Sequence, residues 1–102
     1  MKYNKLIRDR IPEIIEGKGE IPITCVLSDD EFKEKLEEKL LEEVNEFLEK
    51  ADDVSELADI LEVVYALAEV LGISKEELER IRAEKQQKRG GFKKKLLLQK
   101  VK

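Results

Sequence analysis

KLEEKLLEEVNEFLEKADDVSELADILEVVYALAEV, residues 35–70, is the stretch that decides the fold of this 102-residue chain. Apolar residues recur in it every three or four positions, the spacing that places them along one side of an α-helix. The polar interruption KADD, residues 50–53, breaks the pattern into two helices joined by a short turn. The stretch therefore predicts a helical hairpin, but it also places acids where each helix should be apolar.

Glu43 is the acid that most clearly breaks the pattern of the first helix. Advancing about 100° per residue puts it on the core-facing side that Leu36 and Phe47 define. By the same count Glu42 and Lys39 fall on the opposite or flanking side, where solvent is expected. Glu43 is thus predicted to be shielded from water and Glu42 is at most an auxiliary ligand.

The second helix is apolar on nearly every side. Its main stripe consists of aliphatic residues and alanine: Leu57, Ile60, Leu61, Val64, Leu67, Ala68 and Leu71. Glu56 and Asp59 lie instead on a second stripe with Val63, Ala66 and Val70. A helix that is apolar on most sides is central to its bundle, so both acids are predicted to be shielded.

Four acids lie on these core-facing sides: Glu43, Glu46, Glu56 and Asp59. Burying an unpaired carboxylate costs several kcal/mol, and a domain is stable by only about 5–15 kcal/mol, so such groups require cations. Within each pair the spacing of three residues puts both carboxylates on one helical face. An antiparallel hairpin would let the pairs converge on one point, and convergent carboxylates suit Mg²⁺, with Mn²⁺ as the alternative.

Each acid also has a simpler interpretation. A glutamate in a chain with 43% charged residues is usually solvated, and this applies most to Glu46. Glu56 fits the third position of a capping box opened by Asp53. Glu43 and Asp59 could each pair with a Lys or Arg of another helix. The hypothesis of a metal site therefore depends on the four acids as a set.

A third helix carries cations on its core-side line, where Leu78 is followed by Arg82, Lys85 and Arg89. Basic residues in a last turn complement the helix dipole and can reach past apolar surface to solvent. The sharper hypothesis is that Lys85 and Arg89 bind phosphates beside the acidic site. The glycines of the following RGG would let the backbone approach a ligand closely.

The remaining elements follow from capping and turn residues. A short helix is predicted near 9–16 with Asp9 as its N-cap, and short extended segments near 21–27 and 93–101. Ser28 and Glu31 form a capping box that opens a helix over 29–50, and the later helices run from Asp53 to 71 and from 74 to about 88. The chain is thus predicted to be one all-α domain, 1–102.

Composition excludes several kinds of site. The chain has no His and one Cys, Cys25, so a His-ligated metal, a Cys-based zinc site and an internal disulfide are all excluded. The net charge of -4 argues against a nucleic-acid polymer as the partner. No signal peptide or membrane-length apolar run is present, so a cytoplasmic location and no membrane partner are expected.

The order of the acidic motifs resembles that of the MazG-like, all-α nucleoside triphosphate pyrophosphohydrolases, in which E-x-x-E is followed by E-x-x-D. The motifs here are EVNE, residues 43–46, and ELAD, residues 56–59. YNKLIRDRIPEII near the start and KQQKRGGFKKKLLL near the end resemble a subgroup of short members labelled phosphoribosyl-ATP pyrophosphohydrolase-like. The likeness covers nearly the whole chain.

The resemblance implies a helical bundle that holds Mg²⁺ through Glu43, Glu46, Glu56 and Asp59. It also implies cleavage of the α–β bond of a nucleotide to release a monophosphate and pyrophosphate. A homodimer or higher homo-oligomer is expected, both from the resemblance and because so short a chain would struggle to enclose its apolar surface and a nucleotide alone.

The resemblance also suggests roles for single residues. Glu43 or Glu46 would orient the attacking water, since without His a carboxylate is the expected general base. Lys85 and Arg89 would hold the leaving pyrophosphate. The LIRDRIP segment contains two further cations, Arg8 and Arg10. They are expected either to contact phosphate or, equally, to be surface cations that flank the short helix.

Two other functions stay open at this point. One is hydrolysis of phosphoribosyl-ATP in histidine biosynthesis. The other is a non-catalytic helical interaction module, whose buried acids would be paired with Arg82, Lys85 and Arg89.

Overall fold

The structure is a computed structural model that describes residues 4–102. Four α-helices follow one another along the chain: α1 (Ile11–Gly17), α2 (Asp29–Glu49), α3 (Val54–Val70) and α4 (Lys75–Arg89). Over these residues there is no β-strand, so the predicted all-α class is confirmed. Segments 21–27 and 93–101 lie outside the helices, and the second begins in a turn where the Lys95 N–H donates to the Phe92 carbonyl.

The capping predictions are partly confirmed. Ser28 and Glu31 form the reciprocal capping box at the start of α2. Asp53 is the N-cap of α3, but its carboxylate accepts from the Ser55 N–H rather than completing a box with Glu56. The box prediction was wrong because the Glu56 side chain turns inward. The prediction of Asp9 as the N-cap of α1 was also wrong. The N-cap is Arg10, and its side chain makes no capping hydrogen bond.

A four-residue turn, 50–53, connects α2 to α3. The Lys50 N–H donates to the Glu46 carbonyl as the last helical bond, and the Asp53 N–H donates back to the Lys50 carbonyl. Asp52 adopts a positive φ of 68°, a conformation that Asp tolerates better than most residues. Since the two helices are in contact along their length and the turn is this short, they form an antiparallel hairpin.

The core of the hairpin is small. Its buried apolar side chains are Leu36 of α2 and Val63 and Ala68 of α3, which are 3%, 7% and 5% exposed. The second stripe of α3, to which Glu56 and Val63 belong, faces α2. The main stripe is buried only in part: Ala68 is buried, whereas Leu57 and Leu61 are 48% and 47% exposed, because α2 covers only one side of α3.

The remaining elements surround the hairpin loosely. Gly72, with φ +86°, follows the C-cap Leu71 of α3, close to the predicted helix end at 71, and α4 then packs lightly against α3. The described chain is elongated, with extents of 62 × 33 × 23 Å. Within residues 4–102 no helix has the length and apolar character needed to cross a bilayer.

Candidate metal centre

Three of the four predicted acids meet at the turn end of the hairpin. Glu43 and Glu46 stand in the last two turns of α2, and Glu56 in the first turn of α3. One carboxylate oxygen from each lies within 4.8 Å of the others. This carboxylate cluster, Glu43, Glu46 and Glu56, forms because the short turn brings the end of one helix beside the start of the next.

Two acids of the carboxylate cluster are buried. Glu43 is 7% exposed and Glu56 is 5% exposed, whereas Glu46 is half-buried. The Oε2 atoms of Glu43 and Glu56 are inaccessible to solvent and have no hydrogen-bond partner. Because buried polar atoms are nearly always hydrogen-bonded or paired, these two oxygens are the candidate cation ligands of the cluster.

Two lysines bind the other oxygen of each buried acid. Lys39 Nζ lies 3.4 Å from Glu43 Oε1, and Lys50 Nζ lies 2.9 Å from Glu56 Oε1. The hydrogen bond to Glu56 and its negative charge raise the pKa of Lys50 above its ordinary value. Each lysine therefore compensates part of a buried charge and leaves the second oxygen free to bind a cation.

Glu46 experiences the negative charge of the other two acids directly. Its pKa is raised, chiefly by the charge of Glu43, then by burial and by the charge of Glu56, while Lys50 opposes the shift. A raised carboxyl pKa indicates excess negative charge at this point. A divalent cation bound here would relieve that repulsion.

Asp59, the fourth predicted acid, lies outside the carboxylate cluster. It is one turn further along α3 than Glu56 and is half-buried. Its Oδ1 accepts a hydrogen bond from Arg8 Nη2 at 2.8 Å. The structure therefore brings together three of the four predicted ligands, and it pairs the fourth with a cation that had been predicted to bind phosphate.

The other predicted phosphate-binding cations are not joined to the carboxylate cluster. Lys85 and Arg89 are exposed on α4, and among the described residues neither forms an ion pair. Arg82 is bound within its own helix to Glu79, at 2.6 Å. Arg10 is exposed and pairs with the neighbouring Glu13 at 3.5 Å. The predicted core-side line of cations on α4 is therefore wrong, because that side of the helix is largely open to solvent.

Sequence reasoning missed both lysines of the site. Lys39 had been assigned to the solvent side, yet its side chain is only 19% exposed and contacts both Glu42 and Glu43. The signal for it was its spacing of four residues from Glu43, at which oppositely charged helical side chains meet. Lys50 has the same spacing from Glu46, but its ion pair with Glu56 could not be predicted, because the turn brings the two together.

Two surface pockets adjoin the hairpin, but neither is lined by the carboxylate cluster. One of about 90 Å³ is formed near Lys5, Lys39 and Glu42. The other, about 420 Å³, lies at the far end of the hairpin beside Phe32 and Val70.

Comparison with known proteins adds a partial sequence relationship. The chain is 52% identical over 42 residues to an uncharacterized protein of Mycolicibacterium smegmatis. That stretch covers 41% of this chain and 43% of the relative, so the chain spans less than half of the relative's length. No family model and no solved structure matches the chain. Functional inference therefore depends on the site itself.

Proposed function

We propose that this chain is a Mg²⁺-dependent nucleotide pyrophosphohydrolase, which cleaves the α–β phosphate bond to give a monophosphate and pyrophosphate. The observation that carries the proposal is the pair of buried, unpartnered oxygens on Glu43 and Glu56, with Glu46 beside them. It is supported by the likeness of the two acidic motifs to those of MazG-like enzymes.

The ligand chemistry of the carboxylate cluster fits the proposed ion. Its donors are oxygens only, which hard cations such as Mg²⁺ and Mn²⁺ prefer. Mg²⁺ in proteins commonly takes a few carboxylates and completes its shell with water and substrate phosphates. The three acids Glu43, Glu46 and Glu56 therefore suffice for an ion that the nucleotide itself would help to hold.

The chain's own groups divide the work of the reaction. When bound, Mg²⁺ would neutralise phosphate oxygens and acidify water. Glu43 and Glu56 are held rigidly by packed helices, which makes them the structural ligands. Glu46 is the most accessible acid of the three, and we assign it the proton of the attacking water. Lys39 and Lys50 balance the charge of the cluster before an ion binds.

The outer residues of the proposal would act only after rearrangement. Asp59 would become the fourth metal ligand if its carboxylate left Arg8 and bound the ion instead. Lys85 and Arg89 would reach substrate phosphates from another position of α4 or from another copy of the chain, because in this conformation the cations paired with the cluster are Lys39 and Lys50. Arg8 and Arg10 remain proposed phosphate contacts, and each would first have to leave its present partner, Asp59 or Glu13.

Pyrophosphate release tests the proposal directly. The purified chain should release pyrophosphate from at least one member of a panel of NTPs, dNTPs, modified nucleotides and phosphoribosyl-ATP when Mg²⁺ is present. Glu43→Gln and Glu56→Gln should abolish pyrophosphate release and keep the helical circular dichroism. Glu62→Gln, on the exposed side of α3, is the control and should retain pyrophosphate release. No release from any substrate, or full activity in both site variants, would contradict the proposal.

A non-catalytic helical module is the second candidate, because Lys39 and Lys50 already pair with the buried acids. It predicts a melting temperature that millimolar Mg²⁺ leaves unchanged. The enzyme proposal predicts an increase. Release from phosphoribosyl-ATP alone would instead assign the histidine-pathway reaction.

A further inference from the structure

The described chain exposes far more surface than a compact protein of its size. Its accessible area is 9635 Å², whereas a folded monomer of 11.8 kDa is expected to expose about 5,900 Å². Its radius of gyration is 17.9 Å, against about 13 Å for a compact domain of this length. The excess area is larger than the roughly 800 Å² that each partner buries in a standard interface.

The basic C-terminal segment, 92–102, contributes strongly to this excess. It contains five lysines and no acid. Its large apolar side chains are 80–97% exposed and are Phe92, Leu96, Leu97, Leu98 and Val101. A run that is both basic and apolar, and whose large apolar side chains are this exposed, is best covered by a surface that is acidic and apolar.

The outer face of α2 is a surface of that kind. It consists of five exposed residues on the side of α2 opposite Leu36: Asp30, Glu34, Glu37, Leu41 and Leu48. The two leucines are 67% and 70% exposed although each is large and apolar. The outer face thus combines two exposed leucines with three acids, of which Glu37 also pairs with Lys33 on the flank of the same helix at 3.7 Å.

We propose that the basic C-terminal segment of one copy of this chain docks on the outer face of α2 of a second copy. The lengths agree, because the outer face extends about 27 Å along the helix and eleven residues of extended chain reach about 35 Å. Lysines would meet acids, and the segment's leucines would cover Leu41 and Leu48.

A second copy is the occupant that the charge distribution favours. Residues 1–84 carry 24 acids and 12 bases, whereas residues 85–102 carry eight bases and no acid. Each chain therefore both donates a basic segment and offers an acidic face. Two copies related by a two-fold axis would satisfy both surfaces at once, which is the usual geometry of homodimers. The inference involves neither the metal nor a nucleotide.

Complementary charge reversal tests this docking. The segment variant is Lys93→Glu/Lys94→Glu/Lys95→Glu, and the face variant is Glu34→Lys/Glu37→Lys. Sedimentation should show that the wild-type chain associates and that either variant alone has a dissociation constant raised about tenfold or more, because like charges then oppose each other. An equimolar mixture of the two variants should associate again, since each then supplies the complement of the other.

A matched control separates docking from a general effect of charge. Glu62→Lys/Glu69→Lys makes the same charge change as the face variant, but at exposed positions of α3. This control should associate like the wild type. All variants should keep the wild-type circular dichroism, because every altered side chain is exposed.

Three results would overturn the docking. They are a monomeric wild type at all concentrations, a segment variant that associates like the wild type, and a variant mixture that stays monomeric. A monomer whose segment binds anionic vesicles or an oligonucleotide would likewise overturn it and would assign the segment to a lipid or nucleic-acid surface.

Discussion

Arg8 Nη2 donates a 2.8 Å hydrogen bond to Asp59 Oδ1 and so joins two residues 51 positions apart in the chain. Arg8 precedes α1, and Asp59 lies one turn beyond Glu56 on α3. The ion pair attaches the N-terminal part of the described chain to the hairpin. It also gives Asp59 a cation of its own outside the carboxylate cluster.

Whether Asp59 changes partner on metal binding can be measured by a double-mutant cycle. In the absence of divalent ions, Arg8→Ala and Asp59→Asn should show a coupling of about 0.2–1 kcal/mol, as is usual for partly exposed pairs. With saturating Mg²⁺ the coupling should approach zero, because Asp59 would then bind the ion. A coupling that Mg²⁺ leaves unchanged would exclude Asp59 from the metal shell.

Lys50→Met should destabilise the metal-free chain and make its stability depend more on Mg²⁺. The substitution keeps the aliphatic stem and removes the cation that lies 2.9 Å from buried Glu56. We expect a lower melting temperature without metal and a larger increase on adding Mg²⁺ than in the wild type, since the ion replaces the lost charge. Lys33→Met, which removes an exposed partner of Glu37, is the control and should have little effect on either value. An equal Mg²⁺ response in the two variants would contradict a metal bound next to Glu56.

Glu46→Gln should stabilise the metal-free chain at neutral pH. The pKa of Glu46 is raised in the folded state, mainly by Glu43, so the folded chain binds this proton more tightly than the unfolded chain. That contribution is fully present below the ordinary value of 4.5 and is lost as pH rises through the folded-state pKa. Because Gln does not ionise, Glu46→Gln does not lose this stability as the pH rises.

Melting temperatures of both proteins, recorded without divalent ions from about pH 4 to about pH 8, test the sign. The increase in melting temperature of Glu46→Gln over the wild type should be largest at neutral pH and should disappear as the pH falls below 4.5. Glu49→Gln, exposed one residue before the turn, should show no such pH dependence. A difference that is constant with pH would mean that repulsion from Glu43 is not the cause.

Leu36→Ala should cost about 2–5 kcal/mol of unfolding free energy, because this leucine is 3% exposed in a core of very few buried side chains. That is a large part of the stability of a small domain. Leu71→Ala is the control at 67% exposure and should change the unfolding free energy by only about 0.5 kcal/mol. Chemical denaturation measures both, and similar losses in the two variants would contradict the packing described for the hairpin.

Much of the helical framework could be predicted from local sequence. Ser28 and Glu31 specify the start of α2, because their reciprocal hydrogen bonds involve residues only three apart. Gly72 specifies the end of α3, because a positive φ is cheap only for a residue without a Cβ. Asp53 shows the limit of this reasoning, since the cap was predicted correctly but the partner was not.

The apolar pattern alone did not determine which side of α3 would be covered. Leu57 and Leu61 belong to the stronger stripe and are nonetheless 48% and 47% exposed. Val63 and Glu56 of the weaker stripe are buried, as is Ala68 of the stronger stripe. The helical period fixes which residues share a side, but the direction of that side follows from the geometry of the turn.

The sequence by itself determined the all-α class, the approximate limits of α2, α3 and α4 and the placement of Glu43 and Glu56 on buried sides, because capping and helical phase are local properties. Only the tertiary structure decided which acids meet. The four-residue turn sets the rotation of α3 against α2, and this rotation brings Glu56 to Glu43 and Glu46 while Asp59 stays one turn away with Arg8. Distances between helices depend on that rotation, which no local pattern specifies.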